Sequence, residues 1–489
     1  MTNIVGQIVE KRKKDIEKKG YTFGFEIPAK RDRPLNPFMQ DKGVILEVKR
    51  ASPSKGDIAP NLDSVETAKR YQKNGASAIS CLTEENYFKG SLKDLMAICK
   101  AIPDIAVLRK DFLLEEEEID ISYRCGADAV LLICGILSLE KLLSMTKRCK
   151  ELGIRALVEV RTQEDVEKVL QVKKEYAETI VCGVNSRNLK DFTIDLLVPA
   201  MLKKKLGGQV IFESGITTAQ AASTIASMGF AGLLLGEFAA REPERAGRFV
   251  QAFKAQKESL YGKKMLKLAE VIENKSNKTR GDRPLIKICG LTRAEDLLLA
   301  DQLGADFTGF IFAQEYGRNV YGPKFKAMEP YLEKIKAFKV AVITNPLSEE
   351  AEQAARLVQE GKLDFIQLHG IPYNKVPEKF LNLPHYFAIT DKTGNLEGLS
   401  HELKDLGQAR FIQDSKEGNY SQEGKLWMAG GLSPDNISQL VKKYNPELVD
   451  LSSGLEDSGQ TGIKNPDKMK KLFEALKSRG RYGPPIEAR

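Results

Sequence analysis

Short apolar runs rich in β-branched residues recur along the whole chain, separated by longer stretches whose apolar positions return at helical spacing. In the first half the runs are VILEVK (44–49), AISCL (78–82), IAVLRK (105–110), AVLLI (129–133), IRALVEV (154–160), TIVCGV (179–184), QVIFES (209–214) and GLLLG (232–236). Between them, SVETAKRYQKNGA (64–76) and QEDVEKVLQVKKEYA (163–177) read as helices. The second half repeats the rhythm with LIKIC (285–289), FTGFIF (307–312), FKVAVI (338–343), DFIQLH (364–369), HYFAIT (385–390), ARFIQ (409–413), LWMAGG (426–431) and ELVDLSS (447–453), joined by shorter helices such as RAEDLLLADQLGA (293–305).

Strand and helix in unbroken alternation imply a parallel sheet, and eight such units suit closure into a barrel with its chemistry at the C-terminal ends of the strands. The expected fold is α/β, two tandem (β/α)8 TIM barrels. A doubly wound open sheet is the runner-up, but no GxGxxG phosphate turn follows a first strand. Each half ends on two glycine-containing strand ends about 20 residues apart: FESGI (212–216) with LLLGE (233–237), and WMAGGL (427–432) with LSSG (451–454). Strand ends of this kind free backbone N–H groups to face an anion, so each pair is a candidate phosphate site. The expected domains are a barrel over 1–258, a basic linker over 259–283 and a barrel over 284–489.

A chain of 489 residues is too long for one ordinary core and divides naturally in two. At 42% hydrophobic and 29% charged residues, with no segment apolar enough to span a membrane, it reads as a globular protein without a membrane partner. The N-terminus spaces Ile4, Val5, Ile8, Val9 and Ile16 as an amphipathic helix that stays on the mature protein, without the apolar core of a secretory signal. Seven scattered cysteines with no CxxC pair argue for reduced thiols and a cytoplasmic location. The net charge of +8 is concentrated: residues 254–283 hold nine Lys/Arg against four Asp/Glu. The end of this segment, 274–284, is rich in turn formers, so a solvated linker is preferred to nucleic-acid binding.

Ionisable and polar residues cluster directly after the apolar runs of the first half. Glu47 and Lys49 share one face of the first strand, Lys110 ends the third, Glu159 ends the fifth, Asn185 and Arg187 follow the sixth, and Glu213 ends the seventh. Any one reads equally well as an interior salt bridge, but seven converging on one rim point to chemistry. A lysine partly desolvated among carboxylates can act as a general acid, and the carboxylates can accept or return protons.

The strings EVKRASPSKG (47–56), LRKDF (108–112), LVEV (157–160), GVNSRNL (183–189) and ESGI (213–216) resemble, in order, those of the indole-3-glycerol phosphate synthase family. KICGLT (287–292), QLHG (367–370), AGGLSPDN (429–436) and VDLSSGLE (449–456) resemble phosphoribosylanthranilate isomerase. Together the halves resemble the bifunctional fusion of tryptophan biosynthesis, in which the isomerase product, 1-(2-carboxyphenylamino)-1-deoxyribulose 5-phosphate, is closed and decarboxylated by the synthase. For the synthase half the resemblance implies Lys110 as general acid, Glu159 and Lys49 in later proton transfers, and Glu47, Asn185 and Glu213 as positioning groups. It further implies Ser52, Lys55, Ser214, Gly215 and Gly236 at the phosphate, with Arg187 a further substrate contact and Phe112, Leu132 and Leu235 walling the aromatic ring; core packing is the preferred reading of the two leucines. Where the family often has Ser or Thr after the last glycine stands Glu237, whose side chain is expected to point away from the phosphate.

For the isomerase half the resemblance implies an Amadori rearrangement with Cys289 as general base, Asp414 as general acid, Arg318 at the anthranilate carboxylate, and Gly431, Ser453 and Gly454 at the phosphate. A small buried cysteine is by itself more often packing than chemistry; the KICGLT context reverses that preference. GNYS (418–421) departs from the glycine-rich stretch usual after the acid, and Ile371 and Pro372 follow QLHG. Three readings follow: two active barrels, an active synthase beside an inert isomerase-like barrel, or a binding scaffold. Acid and base sets at two rims favour the first. The implied steps need no cofactor or metal, and the expected partners are small phosphorylated anthranilate derivatives. A monomer is expected, with the intermediate released between the two steps.

Overall fold

The computed structural model describes residues 4–188, 193–277, 283–392, 394–421 and 425–477. The chain divides into two compact units, 1–258 and 259–489. In the first, strands β1 (Gly43–Val48), β4 (Ala78–Leu82), β5 (Ala106–Lys110), β6 (Ala129–Ile133), β7 (Arg155–Val160), β8 (Ile180–Asn185), β9 (Val210–Glu213) and β10 (Gly232–Leu235) form a closed barrel. Every barrel pairing is parallel, β10 closing back onto β1. A short hairpin, β2 (Ala51–Ser52) with β3 (Gly56–Asp57), interrupts the first crossover. The helix Gln163–Tyr176 begins where expected because Thr162 and Asp165 cap each other reciprocally.

Alternation along the strands sends one set of side chains inward. Ile45, Leu108, Leu131, Leu157, Val181, Ile211 and Leu234 join one buried cluster with Phe38 and Met39, so the barrel interior is aliphatic. Leu132 and Leu235, one position out of phase with Leu131 and Leu234, are buried but outside this cluster, in keeping with core packing. The helix Ile4–Lys19 lies against the end of the barrel where the strands finish: Ile8 packs in the same cluster as Phe112, and Arg12 Nη1 donates to Asp111 Oδ1 at 2.6 Å. Arg12 also pairs with Glu118.

The second unit closes β11 (Leu285–Ile288), β12 (Phe307–Ile311), β13 (Phe338–Ile343), β14 (Phe365–His369), β15 (His385–Thr390), β16 (Ile412–Asp414), β17 (Trp427–Ala429) and β18 (Leu448–Leu451) into a second parallel barrel. Its interior is aromatic. Phe307, Phe338, Phe365, Tyr386 and Trp427 form a closed belt with neighbouring ring centroids 5.1–6.1 Å apart.

The expected linker takes another form. Residues Leu260–Asn277 are a helix whose Tyr261, Met265, Leu268, Ala269 and Ile272 are buried. It packs on the end of the second barrel where the strands begin: Tyr261 lies 5.0 Å from the His385 ring, Lys264 Nζ is 2.5 Å from Asp364 Oδ1, and Lys267 sits 5.6 Å from the Phe338 ring centroid. These partners stand at the starts of β13, β14 and β15. The segment is thus an amphipathic helix that belongs to the second unit, with Lys264 and Lys267 turned to the barrel and Lys263 exposed, and the remainder of the expected linker, 278–282, lies outside the described residues. Among the described residues no helix is long and apolar enough to cross a membrane, and no three His, Cys, Asp or Glu side chains cluster as metal ligands.

Candidate active sites

The first barrel gathers its charges around one ammonium. Lys110 Nζ lies 3.8 Å from Glu159 Oε2, 3.9 Å from Glu213 Oε2 and 4.0 Å from Glu47 Oε2, and Lys49 Nζ is 3.1 Å from Glu47 Oε1. Burial alone would drive the Lys110 proton off, but Glu159, Glu47 and Glu213 together outweigh it and raise the ammonium above its ordinary value. Glu213 moves the other way from a free carboxylate: burial first, then repulsion from Glu159, pushes it well up against the pull of Lys110. Burial also disfavours the Glu47 anion, yet Lys49 and Lys110 hold it below the usual range. Around the lysine, Glu47 is therefore biased toward its ionised form and Glu213 toward its protonated one, a set able both to donate and to accept protons.

Glycines make room for this set. A Cβ on Gly183 would collide with Glu213 Oε1, and one on Gly236 would stand 2.5 Å from Glu47 Oε1. Ser214 and Gly215 both take left-handed backbone, φ 71° and 76°, turning the chain sharply after β9 beside the end of β10. Asn185 folds its Oδ1 back to accept from the Arg187 N–H at 3.0 Å. Arg187 Nη2 lies 3.9 Å from Glu237 Oε2, and Arg241 Nη2 is 3.5 Å from Glu237 Oε1, so the Glu237 side chain is held by two arginines. Phe112 is buried, 6.1 Å from the Phe88 ring. Ser52 is buried on the hairpin, whereas Lys55 is exposed at its turn and forms no ion pair among the described residues. The fold thus assembles Glu47, Lys49, Lys110, Glu159 and Glu213 into one cluster and leaves Lys55 apart from it.

The second barrel places its polar groups in two levels. Cys289 follows β11, its N–H donating to the Leu451 carbonyl at 2.8 Å; a Cβ on Gly309 would stand 2.7 Å from its Sγ. Asp414 ends β16, its Oδ2 lying 3.9 Å from His369 Nε2. Burial raises both the Cys289 thiol and the Asp414 carboxyl; Lys287 pulls the thiol back and His369 the carboxyl. Arg318 is fixed by a two-point ion pair, Nε to Glu456 Oε1 at 2.8 Å and Nη2 to Glu456 Oε2 at 2.6 Å. Glu456 is held in turn by the buried Lys464 at 2.7 Å. Gly431 takes φ 64°, and a Cβ on Gly454 would collide with the Leu432 carbonyl, so the loops after β17 and β18 touch backbone to backbone. Ser453 opens the short 3-10 turn Ser453–Leu455 beside them.

A model of the indole-3-glycerol phosphate synthase family matches residues 6–251, and a model of N-(5'-phosphoribosyl)anthranilate isomerase matches residues 286–475. The chain belongs to the indole-3-glycerol phosphate synthase family, with a phosphoribosylanthranilate isomerase domain in tandem. Among its relatives, the indole-3-glycerol phosphate synthase of Exiguobacterium sibiricum is 36% identical, over 53% of this chain and 100% of that protein. The multifunctional tryptophan biosynthesis protein of Schizosaccharomyces pombe is 30% identical over 89% of this chain. The chain spans only 59% of that relative's length. The solved phosphoribosyl anthranilate isomerase of Thermotoga maritima is 24% identical, covering 40% of this chain and 98% of its own, with a TM-score of 0.33.

The atypical loop of the isomerase barrel is pinned by a residue that sequence reasoning treated only as a departure. The single hydroxyl proton of Tyr420 is shared between the Ala429 carbonyl at 2.8 Å and the Ser415 carbonyl at 3.1 Å, and its ring packs edge-on against Tyr444 at 5.2 Å. Sequence reasoning also passed over the level beneath Cys289. Lys287 is fully buried, its Nζ 2.7 Å from Asp450 Oδ2 and hydrogen-bonded to Gln367 Oε1. Tyr386 donates to the same Gln367 oxygen at 3.2 Å, and Gln367 Nε2 meets His369 Nδ1 at 3.2 Å. In the synthase barrel the missed residues are Gly183 and the buried partners of Arg12. The available signal was alternation: Lys287 and Asp450 are single charges at the inward phase of apolar strands.

Proposed function

We propose that the chain catalyses two consecutive steps of tryptophan biosynthesis, the isomerase barrel forming the aminoketose that the synthase barrel closes into indole-3-glycerol phosphate. The observation that carries the reading is Lys110 standing 3.8–4.0 Å from three carboxylates, beside Lys49. In the isomerase barrel, Asp414 protonates the ring oxygen of phosphoribosylanthranilate, the ring opens to an iminium, and ionised Cys289 removes the C2 proton. Its electron pair forms the C1–C2 double bond of the enolamine, which becomes the aminoketose. A carboxyl raised by burial retains its proton for such a step. The raised thiol is deprotonated least at low pH, so this base is the acid-sensitive partner. Arg318 holds the anthranilate carboxylate, and Gly431, Ser453 and Gly454 the phosphate.

In the synthase barrel, Lys110 gives a proton to the carbonyl oxygen as the aromatic carbon attacks. Carbon dioxide then leaves, rearomatising the ring, and Glu159 with Lys49 serves the loss of water. Ser52, Ser214, Gly215 and Gly236 hold the phosphate, Arg187 and Phe112 complete the substrate contacts, and Lys55 reaches the phosphate only if the hairpin bends inward. We further propose a monomer that works without cofactor or metal, in a reducing cytoplasm where all seven cysteines stay unpaired, as they are here. The test is to feed phosphoribosylanthranilate to the parent chain and to Cys289→Ala and Lys110→Ala, following aminoketose and indole glycerol phosphate separately. The cysteine variant is expected to stall before the aminoketose and the lysine variant to accumulate it. A parent that consumes only added aminoketose overturns the isomerase assignment. Capture of labelled intermediate by excess synthase domain is expected if the steps are independent, and exclusion of that trap overturns their independence.

A further inference from the structure

Around the isomerase barrel each connection between strands carries a helix except the one from β16 to β17, where none stands among the described residues. A helix packed on the sheet fixes the strand ends it joins. Here the strap that leaves β16 is tied down by side chains instead. Gln413, buried on β16, accepts from the Ser421 N–H at 2.7 Å and donates from Nε2 to the Ser421 carbonyl at 3.3 Å. The Asn419 N–H donates to Ser415 Oγ at 3.0 Å, and the Tyr444 hydroxyl donates to the Gly418 carbonyl at 3.0 Å. These ties set the half-buried Tyr420 between two strand ends. Its hydroxyl lies 3.1 Å from the carbonyl of Ser415, the residue after Asp414, and 2.8 Å from the carbonyl of Ala429, the residue before Gly430 and Gly431. Burial, then the Asp414 charge, raises the Tyr420 phenol, so it keeps the proton that the two carbonyls share. On the other side the junction is closed by backbone. The Ser415 N–H donates to the Ala429 carbonyl at 3.1 Å, and a Cβ on Gly430 would stand 2.5 Å from the Ser415 carbonyl oxygen and 2.8 Å from Asp414 Oδ1.

We propose that Tyr420 is a positioning residue of the isomerase barrel, its hydroxyl spanning the ends of β16 and β17 so that Asp414 and the phosphate loop at Gly431 are held at one fixed separation. This rests on the isomerase reading above. The sugar that receives the Asp414 proton carries the phosphate that Gly431 seats, so the acid and the loop must be spaced to fit one molecule. A relative displacement of about 1 Å between such groups costs roughly 100-fold in rate. Tyr420 acts through the two carbonyls and needs no contact with the substrate.

Tyr420→Phe removes the hydroxyl and keeps the ring against Tyr444. The experiment uses the full chain in a Lys110→Ala background, so that aminoketose accumulates. It reads kcat per folded molecule, and the inhibition constant of inorganic phosphate as a competitor of the isomerase step. The expected result is a fall of about tenfold in kcat, with the phosphate constant raised about threefold or more. A role in folding alone would lower the urea midpoint and leave both constants within twofold of the background; that result overturns the inference, as does movement of only one constant. Placing 4-aminophenylalanine at position 420, which offers one N–H to each carbonyl, is expected to restore both constants, and failure to restore them also overturns it. Should Tyr420→Phe not fold, Gln413→Leu, which unties Ser421 beside Tyr420, carries the same test. A background chain that makes no aminoketose defeats the isomerase reading, and this inference with it; a variant that matches an active background defeats this inference alone.

Discussion

The two barrels bury a lysine in opposite ways. In the synthase barrel the interior is filled by aliphatic side chains, and Lys110 stands at the end of its strand among three carboxylates. In the isomerase barrel Lys287 is fully buried within β11, 5.9 Å from the Tyr386 ring of the aromatic belt, and answers to one carboxylate and one amide. A lysine at the rim can exchange its proton with a substrate. One sealed below it can only hold its neighbours still and supply a field, because a charge without solvent access keeps its proton unless its partner is removed. The extra helices differ too: Ile4–Lys19 packs where the strands of its barrel finish, whereas Leu260–Asn277 covers the starts of the strands of the other.

The contrast breaks first at the lysines. Lys110→Met is expected to lower indole glycerol phosphate formation by roughly 100- to 10,000-fold while aminoketose formation from phosphoribosylanthranilate persists; quenched-flow product analysis reads both, and loss of both steps would erase the distinction between rim and floor. Lys287→Met leaves the Asp450 charge buried without its cation and should destabilise the isomerase barrel by about 3–5 kcal/mol, seen as an earlier denaturant transition. An unchanged midpoint would mean that the pair is not paired in solution.

Acid sharpens the comparison, because all three histidines fall in the second half of the chain. Burial holds His385 down to about 4, so it is neutral when folded, while an unfolded chain takes up the proton near pH 6.5. The unfolded state then binds more protons through that window, and stability present above it is lost as pH falls toward about 4. The His385 share is about 2 kcal/mol by about pH 5. Urea titrations of His385→Leu against the parent should show a shallower decline between these values; parallel curves would refute the assignment. Smallest are the glycines: Gly183→Ala and Gly309→Ala should each cost about tenfold in their own barrel's step alone, by displacing Glu213 and Cys289. Crossed effects in the product assays would show that the two sites are coupled.

Much of the architecture was legible because each strand is a short apolar run closed by a turn, and periodicity alone separates it from the helices. Sixteen barrel strands fall on the expected segments, though Ile412–Asp414 is shorter than 409–413 suggested; Arg410, ahead of it, pairs with Glu447 at 2.5 Å. The rim charges of the synthase barrel were legible for the same reason: they stand where apolar runs stop. What escaped needed three dimensions. Counting lysines between 254 and 283 hid the apolar stripe Tyr261, Met265, Leu268 and Ile272, whose spacing was the helix signal. Gly183 reads as any strand glycine until Glu213 is seen against it. Lys287 and Asp450, 163 positions apart, become partners only when β18 closes on β11.

The only tryptophan of the chain belongs to the aromatic belt, its Nε1 donating to Glu447 Oε2 at 2.8 Å. Red-edge excitation therefore gives an optical signal from one barrel with no contribution from the other. Unfolding, ligand occupancy or acid damage in the isomerase half can be followed in the intact fusion by emission alone, without cutting or labelling the chain.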